Sequence, residues 1–321
     1  MSAPVCPHCH TTRAPKSKGV RAGKLRRACR DCGKYWPDTD VKAVVRVEGP
    51  QPKIPENLQR IADRYTPDEI RLLAQGLRHN PEQRERPTIN FDGEDFIAGF
   101  CTDTHWGSKY SPREYWTAFL TECRRLGVKT IFHSGDVTEG MSNRTDHVYS
   151  LTHIGYSAQI DYAVELFNEA KDFTIYVIDG NHDRWGVKSG GVMVVQDIAR
   201  RCPHVHYLGH DEADIPINGT IWRMFHGEDG SSYATSYRVQ KLIESFTGGT
   251  KPHVILVGHT HKEISMFERN IFAVSGGAMC RQSSWMRSKK LANHDGFHIL
   301  RAKIGGGEIK SFSATFYPFF N

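Results

Sequence analysis

Five short apolar runs in this chain each end in side chains that carry oxygen or imidazole donors. Residues 96–102 run into Asp103 and His105, and 130–133 into "SGDVTEG" with Asp136. Residues 173–178 run into "DGNHD", which holds Asn181, His182 and Asp183. Residues 220–225 end at His226, and 253–257 end in "GHTH" with His259 and His261. A polar turn commonly follows a buried strand, and any one of these endings alone reads that way. Five endings of one chemical kind do not. Asp103, His105, Asp136, Asn181, His226, His259 and His261 are too many donors for one ion. With one carboxylate shared they suit two divalent ions roughly 3.5–4 Å apart. Mixed nitrogen and oxygen donors accept Mn²⁺, Fe, Zn²⁺ or Ni²⁺.

Such endings need a scaffold that brings them together. The apolar runs alternate with periodic segments at 112–126, 154–170, 191–202 and 232–246, which predict helices. Further strands are expected at 264–268, 271–275, 297–303 and 308–316. An α/β body with a β-rich finish implies two packed sheets flanked by helices. In open α/β sheets ligands gather at the carboxyl ends of strands, where all seven donors fall.

The chain has 321 residues, 39% hydrophobic and 24% charged, an ordinary balance for a soluble protein. Its start, "MSAPVCPHCH", holds no apolar signal segment, and no run reaches the ~18 residues of a membrane span. A cytoplasmic setting without membrane contact is therefore expected. Charge is uneven: residues 1–36 carry nine Lys and Arg against the single acid Asp31, although the whole chain is only +6. A basic arm on a near-neutral body suits a polyanion, and a solvated basic tail is the plainer alternative.

The arm also holds "CPHC" at 6–9 and "CRDC" at 29–32. Two Cys-x-x-Cys knuckles supply the four thiolates of a structural zinc site: Cys6, Cys9, Cys29 and Cys32. His8 and His10 are spare donors. So few residues cannot build a core, so the metal must supply the folding energy. Cys101, Cys123, Cys202 and Cys280 stand singly and read as small buried hydrophobes. "LRRACRDCGKYW" resembles the second knuckle of zinc ribbons in transposases and other DNA-acting proteins. The resemblance implies phosphate contacts from Arg26, Arg27, Arg30 and Lys34, with Tyr35 or Trp36 for stacking. Other zinc ribbons bind proteins.

These signals divide the chain into a zinc ribbon at 1–40, a linker with one helix at 41–88, and a catalytic body at 89–321. Residues 37–58 carry four prolines and read as linker, with one strand expected at 41–47. Its helix starts at Thr66, with Pro67 and Glu69 completing the cap and Ile70, Leu73, Ala74 and Leu77 on one face.

In order, Asp-x-His, Gly-Asp-x-x-Glu, Gly-Asn-His-Asp, His and Gly-His-x-His resemble the calcineurin-like metallophosphoesterase superfamily over about 95–262. The resemblance implies a two-sheet α/β/β/α sandwich, here with a small N-terminal ribbon. It implies one metal on Asp103, His105 and His261, a second on Asn181, His226 and His259, and Asp136 bridging. A metal-bridging hydroxide would attack phosphorus, with Mn²⁺ the expected metal. His182 would protonate the leaving oxygen or stabilise the transition state, and Asp183 would orient His182.

"DTHWG" and "GNHD" resemble the nuclease branch more than the protein phosphatases, a branch that includes the nuclease subunit of SbcCD-type repair complexes. The protein-phosphatase forms of these motifs differ. With strands expected to fill the chain to residue 321, little room is expected for a DNA-capping domain, and endonuclease rather than processive exonuclease action is the expectation. "CRQSSWMRSKK" at 280–290 is expected as a loop near the metals, with Arg281, Trp285 and Arg287 contacting nucleic acid. Arg144 and His147 are further candidates at the substrate's edge. The leading expectation is a DNA nuclease of phage or mobile-element type, DNA being favoured over RNA and oligomeric state left open. The alternatives are a phosphodiesterase or phosphatase on small or cyclic nucleotides whose ribbon binds a partner protein, and an inactive nucleic-acid-binding scaffold.

Overall fold

The computed structural model describes residues 6–10, 16–21, 24–37, 66 and 87–320, apart from 229, 231, 248 and 250. The expected strand at 41–47 and the helix face of Ile70, Leu73, Ala74 and Leu77 lie outside the described residues. The chain divides into two units, Met1–Ile70 and Arg71–Asn321.

In the first unit, β1 (Lys16–Arg21), β2 (Lys24–Ala28) and β3 (Tyr35–Pro37) form an antiparallel sheet in that order. The β2–β3 turn carries Cys29 and Cys32. It closes where Gly33 N–H donates to Cys29 O at 3.2 Å and Cys29 N–H donates to Lys34 O at 3.0 Å. Gly33 has φ +71°, which only glycine adopts without a Cβ penalty.

The second unit runs through β4 (Asp95–Cys101), α1 (Arg113–Arg125), β5 (Thr130–Ser134), α2 (Tyr156–Asn168) and β6 (Thr174–Asp179). There follow α3 (Asn181–Gly190), α4 (Val194–Arg201), β7 (Val205–His210), β8 (Glu212–Ile217) and β9 (Thr220–Phe225). It ends with α5 (Tyr237–Ser245), β10 (Val254–Val257), β11 (Glu263–Glu268), β12 (Ile271–Gly276), α6 (Ser284–Ser288), β13 (Gly296–Gly305) and β14 (Glu308–Pro318).

One sheet has the order β14-β13-β4-β5-β6-β7, parallel from β4 to β7. The other has the order β11-β12-β10-β9-β8, parallel through β12, β10 and β9 with antiparallel edges. The two sheets pack face to face through Phe96, Phe100, Phe132, Ile178, Trp222, Met224 and Leu256. On the outer side of the first sheet, Trp116 and Phe119 of α1, Phe167 of α2 and Ile198 of α4 cover Ile131, Ile175 and Val177. Val239 and Ile243 of α5 cover Ile255 and Ala273 of the second sheet. The sandwich is therefore α/β/β/α.

Successive residues of β5 and β6 enter different cores: Ile131 and Ile175 lie under the helices, Phe132 and Tyr176 between the sheets. Strands buried on both faces read as unbroken apolar runs, which is why their pattern identifies them.

Two strands, β7 and β8, occupy a stretch without a strand expectation. His206, His210, Asp211 and Pro216 break its pattern, yet Ala213, Ile215 and Ile217 of β8 still point inward at period two. Pro216 is tolerated because β8 is the sheet's edge. No described helix is long and apolar enough to cross a membrane.

Candidate metal centre and cleft

The carboxyl ends of the parallel strands in both sheets converge. Asp103 N–H donates to Gly135 O and His105 N–H to Asp136 O, both at 3.0 Å, so the loops after β4 and β5 remain paired. Gly258 N–H donates to Phe225 O at 2.9 Å and ties the β9 and β10 ends in the same way. Asp103, His105, Asp136, His259 and His261 all take left-handed φ values, from +47° to +74°. Non-glycine residues there cost roughly 1–3 kcal/mol each, a strain that concentrates at functional sites.

The seven donors form one continuous cluster. His261 Nε2 lies 3.2 Å from Asp103 Oδ1 and 3.1 Å from His105 Nε2. His105 Nε2 is 3.8 Å from both Asp103 Oδ1 and Asp136 Oδ2. On the other side of Asp136, Oδ2 is 3.2 Å from His226 Nε2. Asn181 Oδ1 lies 3.2 Å from His226 Nε2 and 2.9 Å from His259 Nδ1. Asp136 thus stands between an Asp103–His105–His261 group and an Asn181–His226–His259 group.

The donor set fits divalent ions. His226 Nδ1–H donates to Ser134 O at 2.6 Å, which leaves Nε2 to face Asp136. His261 Nδ1–H donates to Asn293 Oδ1, also at 2.6 Å, leaving Nε2 to face Asp103. Two imidazole Nε2 atoms 3.1 Å apart need a shared proton or a cation between them. Burial alone would raise the carboxyl groups of Asp103 and Asp136, but the adjacent rings hold both below the usual carboxylate range. Burial likewise opposes the charged form of His226, and Asp136 overrides it, holding the ring's pKa up at about 9. Buried negative charge here demands positive charge.

His182 stands in the first turn of α3, where the sequence predicts no helix. Its ring stacks on Trp185 with centroids 4.0 Å apart, and its Nδ1–H donates to Glu139 O at 2.8 Å. Burial pushes the ring's pKa down to about 4, against the pull of Asp136. The Asp183 carboxylate does not hold this ring as expected. It accepts from the backbone N–H of Val137, Thr138 and Gly180 and from Thr138 Oγ1, at 2.9–3.0 Å. Asp183 therefore clamps the loop that carries Asp136, and Glu139 O orients His182.

The cluster opens into a cleft of about 650 Å³, also lined by Arg144, Trp185, Lys188, Arg281 and Trp285. Part of 280–290 is helical rather than loop: Ser283 Oγ caps α6 by accepting from Met286 N–H at 3.2 Å. The Arg144 guanidinium lies 4.8 Å over the half-exposed Trp285 ring. Arg287 is not in the cleft lining; it folds back onto Gln282 O and Ser284 Oγ, at 3.1 and 3.0 Å. His147 is not at the substrate's edge either. It is buried, with Nε2 2.7 Å from Glu139 Oε1.

In the N-terminal unit, the four thiols of Cys6, Cys9, Cys29 and Cys32 lie within 4.8 Å of one another. Cys6 and Cys32 Sγ are 3.8 Å apart, and Cys9 and Cys29 Sγ 3.5 Å. A tetrahedron with Zn–S bonds of 2.3 Å has edges of about 3.8 Å, so the cluster has the size of a zinc site. The N–H groups of Cys32 and Asp31 point at Cys29 Sγ and lower its pKa to about 6, favouring the thiolate. His8 and His10 are exposed, outside the four-sulfur cluster. Arg30, Lys34 and Tyr35 are exposed, Arg27 is half-buried, and the side chains of Arg26 and Trp36 lie outside the described residues.

Residues 97–292 match the model of the calcineurin-like phosphoesterase superfamily domain. The chain belongs to that superfamily. Its fold implies divalent metal ions in the active site, and membership supports a metal-dependent phosphoester hydrolase. Similar solved structures include an archaeal phosphodiesterase, 14% identical, covering 69% of this chain and 100% of that one with a TM-score of 0.41. The Escherichia coli phosphoesterase YfcE is 16% identical, with coverage of 68% and 98% and a TM-score of 0.38. Vps29 of Entamoeba histolytica, complexed with zinc, is 12% identical, with coverage of 69% and 99% and a TM-score of 0.35. No curated protein sequence matches the chain.

Within this phosphoesterase core, the structure adds residues that the sequence reading did not single out. Glu139 contacts His105 and His147, Asn293 holds His261, and Cys280 joins His105 and His261 in one cluster. The motif "GDVTEG" contains Glu139, so a signal existed for it. Asn293 lies in no motif, and Cys280 opens the basic 280–290 segment but reads there only as a small buried hydrophobe.

Proposed function

We propose that the protein is a dinuclear-metal-dependent phosphodiesterase that cuts nucleic acid internally, DNA in preference to RNA. The observation that carries this reading is the placement of the donor cluster on the floor of a cleft whose lining includes Arg144 stacked on Trp285. In this assignment Asp103, His105 and His261 hold one ion, Asn181, His226 and His259 the other, and Asp136 both. When bound, such ions make an attacking hydroxide available near neutral pH and neutralise phosphate oxygens.

The chain's own groups do the rest. With Nδ1–H committed to Glu139 O, the neutral His182 ring has Nε2 left as an acceptor, and only the imidazolium formed once Nε2 has taken up a proton can pass one to the leaving oxygen. Asp183 fixes the Asp136 loop through three donors, Val137 N–H, Thr138 N–H and Thr138 Oγ1–H, so the Asp136 carboxylate is held in place as charge develops. Trp285 offers a face to an unpaired base, and Arg144, Lys188 and Arg281 offer charge to the backbone phosphates. The zinc ribbon, resembling those of transposases, adds Arg30 and Lys34 to the charge available for DNA. This arrangement suits the SbcD-type nuclease branch.

A second reading rests on cleft size. About 650 Å³ also suits a small or cyclic nucleotide. In that case the ribbon serves a partner protein. Salt separates the two. Raising salt from 50 to 200 mM should weaken DNA cleavage by on the order of a hundredfold if about four phosphates are contacted. Hydrolysis of a cyclic mononucleotide should change little. DNA cleavage insensitive to salt, beside efficient cyclic-nucleotide hydrolysis, would favour the second reading.

A further inference from the structure

Cys280 follows β12 and reads in the sequence as an isolated, buried cysteine. In the structure its sulfur converges with ring nitrogens of His105 and His261, all three donor atoms lying within 4.8 Å of one another. It is 4% exposed, yet it lines the cleft beside the metal centre. The placement is fixed from both sides. Met279 N–H donates to Thr102 O at 3.1 Å and to Asp103 O at 3.2 Å, docking this segment on the Asp103 loop. Asn293 Nδ2 donates to Cys280 O at 2.8 Å, while Asn293 Oδ1 accepts from His261 Nδ1 at 2.6 Å. One asparagine therefore positions both the cysteine backbone and the imidazole beside it.

A cysteine that only fills space packs against carbon. This one stands with two imidazoles, one of them 3.2 Å from the Asp103 carboxylate, in the group already assigned to one ion. We propose that Cys280 is an additional, thiolate ligand of the ion held by Asp103, His105 and His261. The inference rests on the dinuclear reading above and deepens it. A thiolate is a soft donor, which selects Zn²⁺ or Fe²⁺ over Mn²⁺. The Asn181–His226–His259 group has only nitrogen and oxygen donors and carries no such preference. The pair of sites is then chemically unequal, and the expectation of manganese at both is replaced by a soft-metal site beside a harder one.

Cadmium NMR on the full chain tests this, because ¹¹³Cd shifts move downfield with each thiolate bound. Wild-type protein should give a far-downfield resonance from the four ribbon cysteines, an intermediate one from the Cys280 site and an upfield one from the nitrogen and oxygen site. Cys280→Ser and Cys280→Ala should each move only the intermediate resonance upfield, the ribbon signal serving as an internal check that the protein is intact. Cys280→Ser should also lower zinc affinity by at least about tenfold and leave manganese affinity within about threefold. If the body resonances are present but indifferent to both substitutions, Cys280 is not a ligand and the dinuclear reading survives. If no resonance appears beyond that of the ribbon, both fail together.

Discussion

Oε2 of Glu139 lies 3.0 Å from Nδ1 of His105, the nitrogen opposite the one that faces Asp103 and Asp136. The contact is an ion pair that falls short of hydrogen-bond alignment. Glu139 is in turn held by His147 Nε2 at 2.7 Å, so a buried His–Glu–His chain supports the metal centre from behind. Carboxylates in this position fix ring orientation and raise ligand basicity. Glu139→Gln should keep the fold and weaken metal binding at the Asp103–His105–His261 group by about 10–100-fold. Calorimetric metal titration checks this. Unchanged affinity would mean that His105 is held without Glu139.

Gly180 is placed where no side chain fits. A Cβ there would lie 2.5 Å from Asp136 N and 2.6 Å from His226 Nε2. Gly180→Ala must push apart the two elements that meet at Asp136, and misplacing a reacting group by ~1 Å costs about 100-fold in rate. Activity should fall by about that factor while circular dichroism stays native. Full activity in the variant would show that the centre tolerates rearrangement.

Trp285 and Arg287 are two residues apart on a helix only five residues long, yet Trp285 lines the cleft and Arg287 does not. Trp285→Ala should raise KM for single-stranded DNA by roughly 5–150-fold, the loss of about 1–3 kcal/mol of stacking, with kcat within about twofold. Arg287→Ala should change neither much. Equal effects from both would reduce the loop to general positive charge.

Much of this was legible before any coordinates. Strands buried on both faces announce themselves as apolar runs, and ligands at their carboxyl ends follow from how parallel sheets are built. Asp103, Asp136, Asn181, His226 and His259 could be read in that way. What escaped depends on contacts between segments far apart in the chain. Cys280 and Asn293 reach His261 only because the segment after β12 docks on the Asp103 loop. His147 turns inward to Glu139 rather than outward to substrate, which no local pattern encodes. The Asn181–Gly190 helix begins within a motif whose glycine and asparagine favour a turn, and Asp183 completes its N-terminal cap.

His133 offers a test of stability rather than of chemistry. It is fully buried in β5 with Nε2 3.0 Å from Thr104 Oγ1, and burial pushes its pKa down to about 4. The unfolded ring takes up its proton near pH 6.5. Between these values the unfolded chain binds more protons, so stability is full above about pH 6.5 and falls as pH drops toward 4, by roughly 3 kcal/mol at the limit. In urea titrations across this range, His133→Gln should flatten the dependence by up to one proton. A slope identical to wild type would place the acid sensitivity elsewhere.

The most direct test of the whole account is cleavage of circular single-stranded and duplex DNA by the full chain with divalent metal, beside Asp136→Asn. Asp136 stands between the two ligand groups, so removing its charge should abolish cutting of circles by the variant while the wild type linearises them. Circles left intact by the wild type, or cut equally by Asp136→Asn, would overturn the assignment of this centre as a nuclease site.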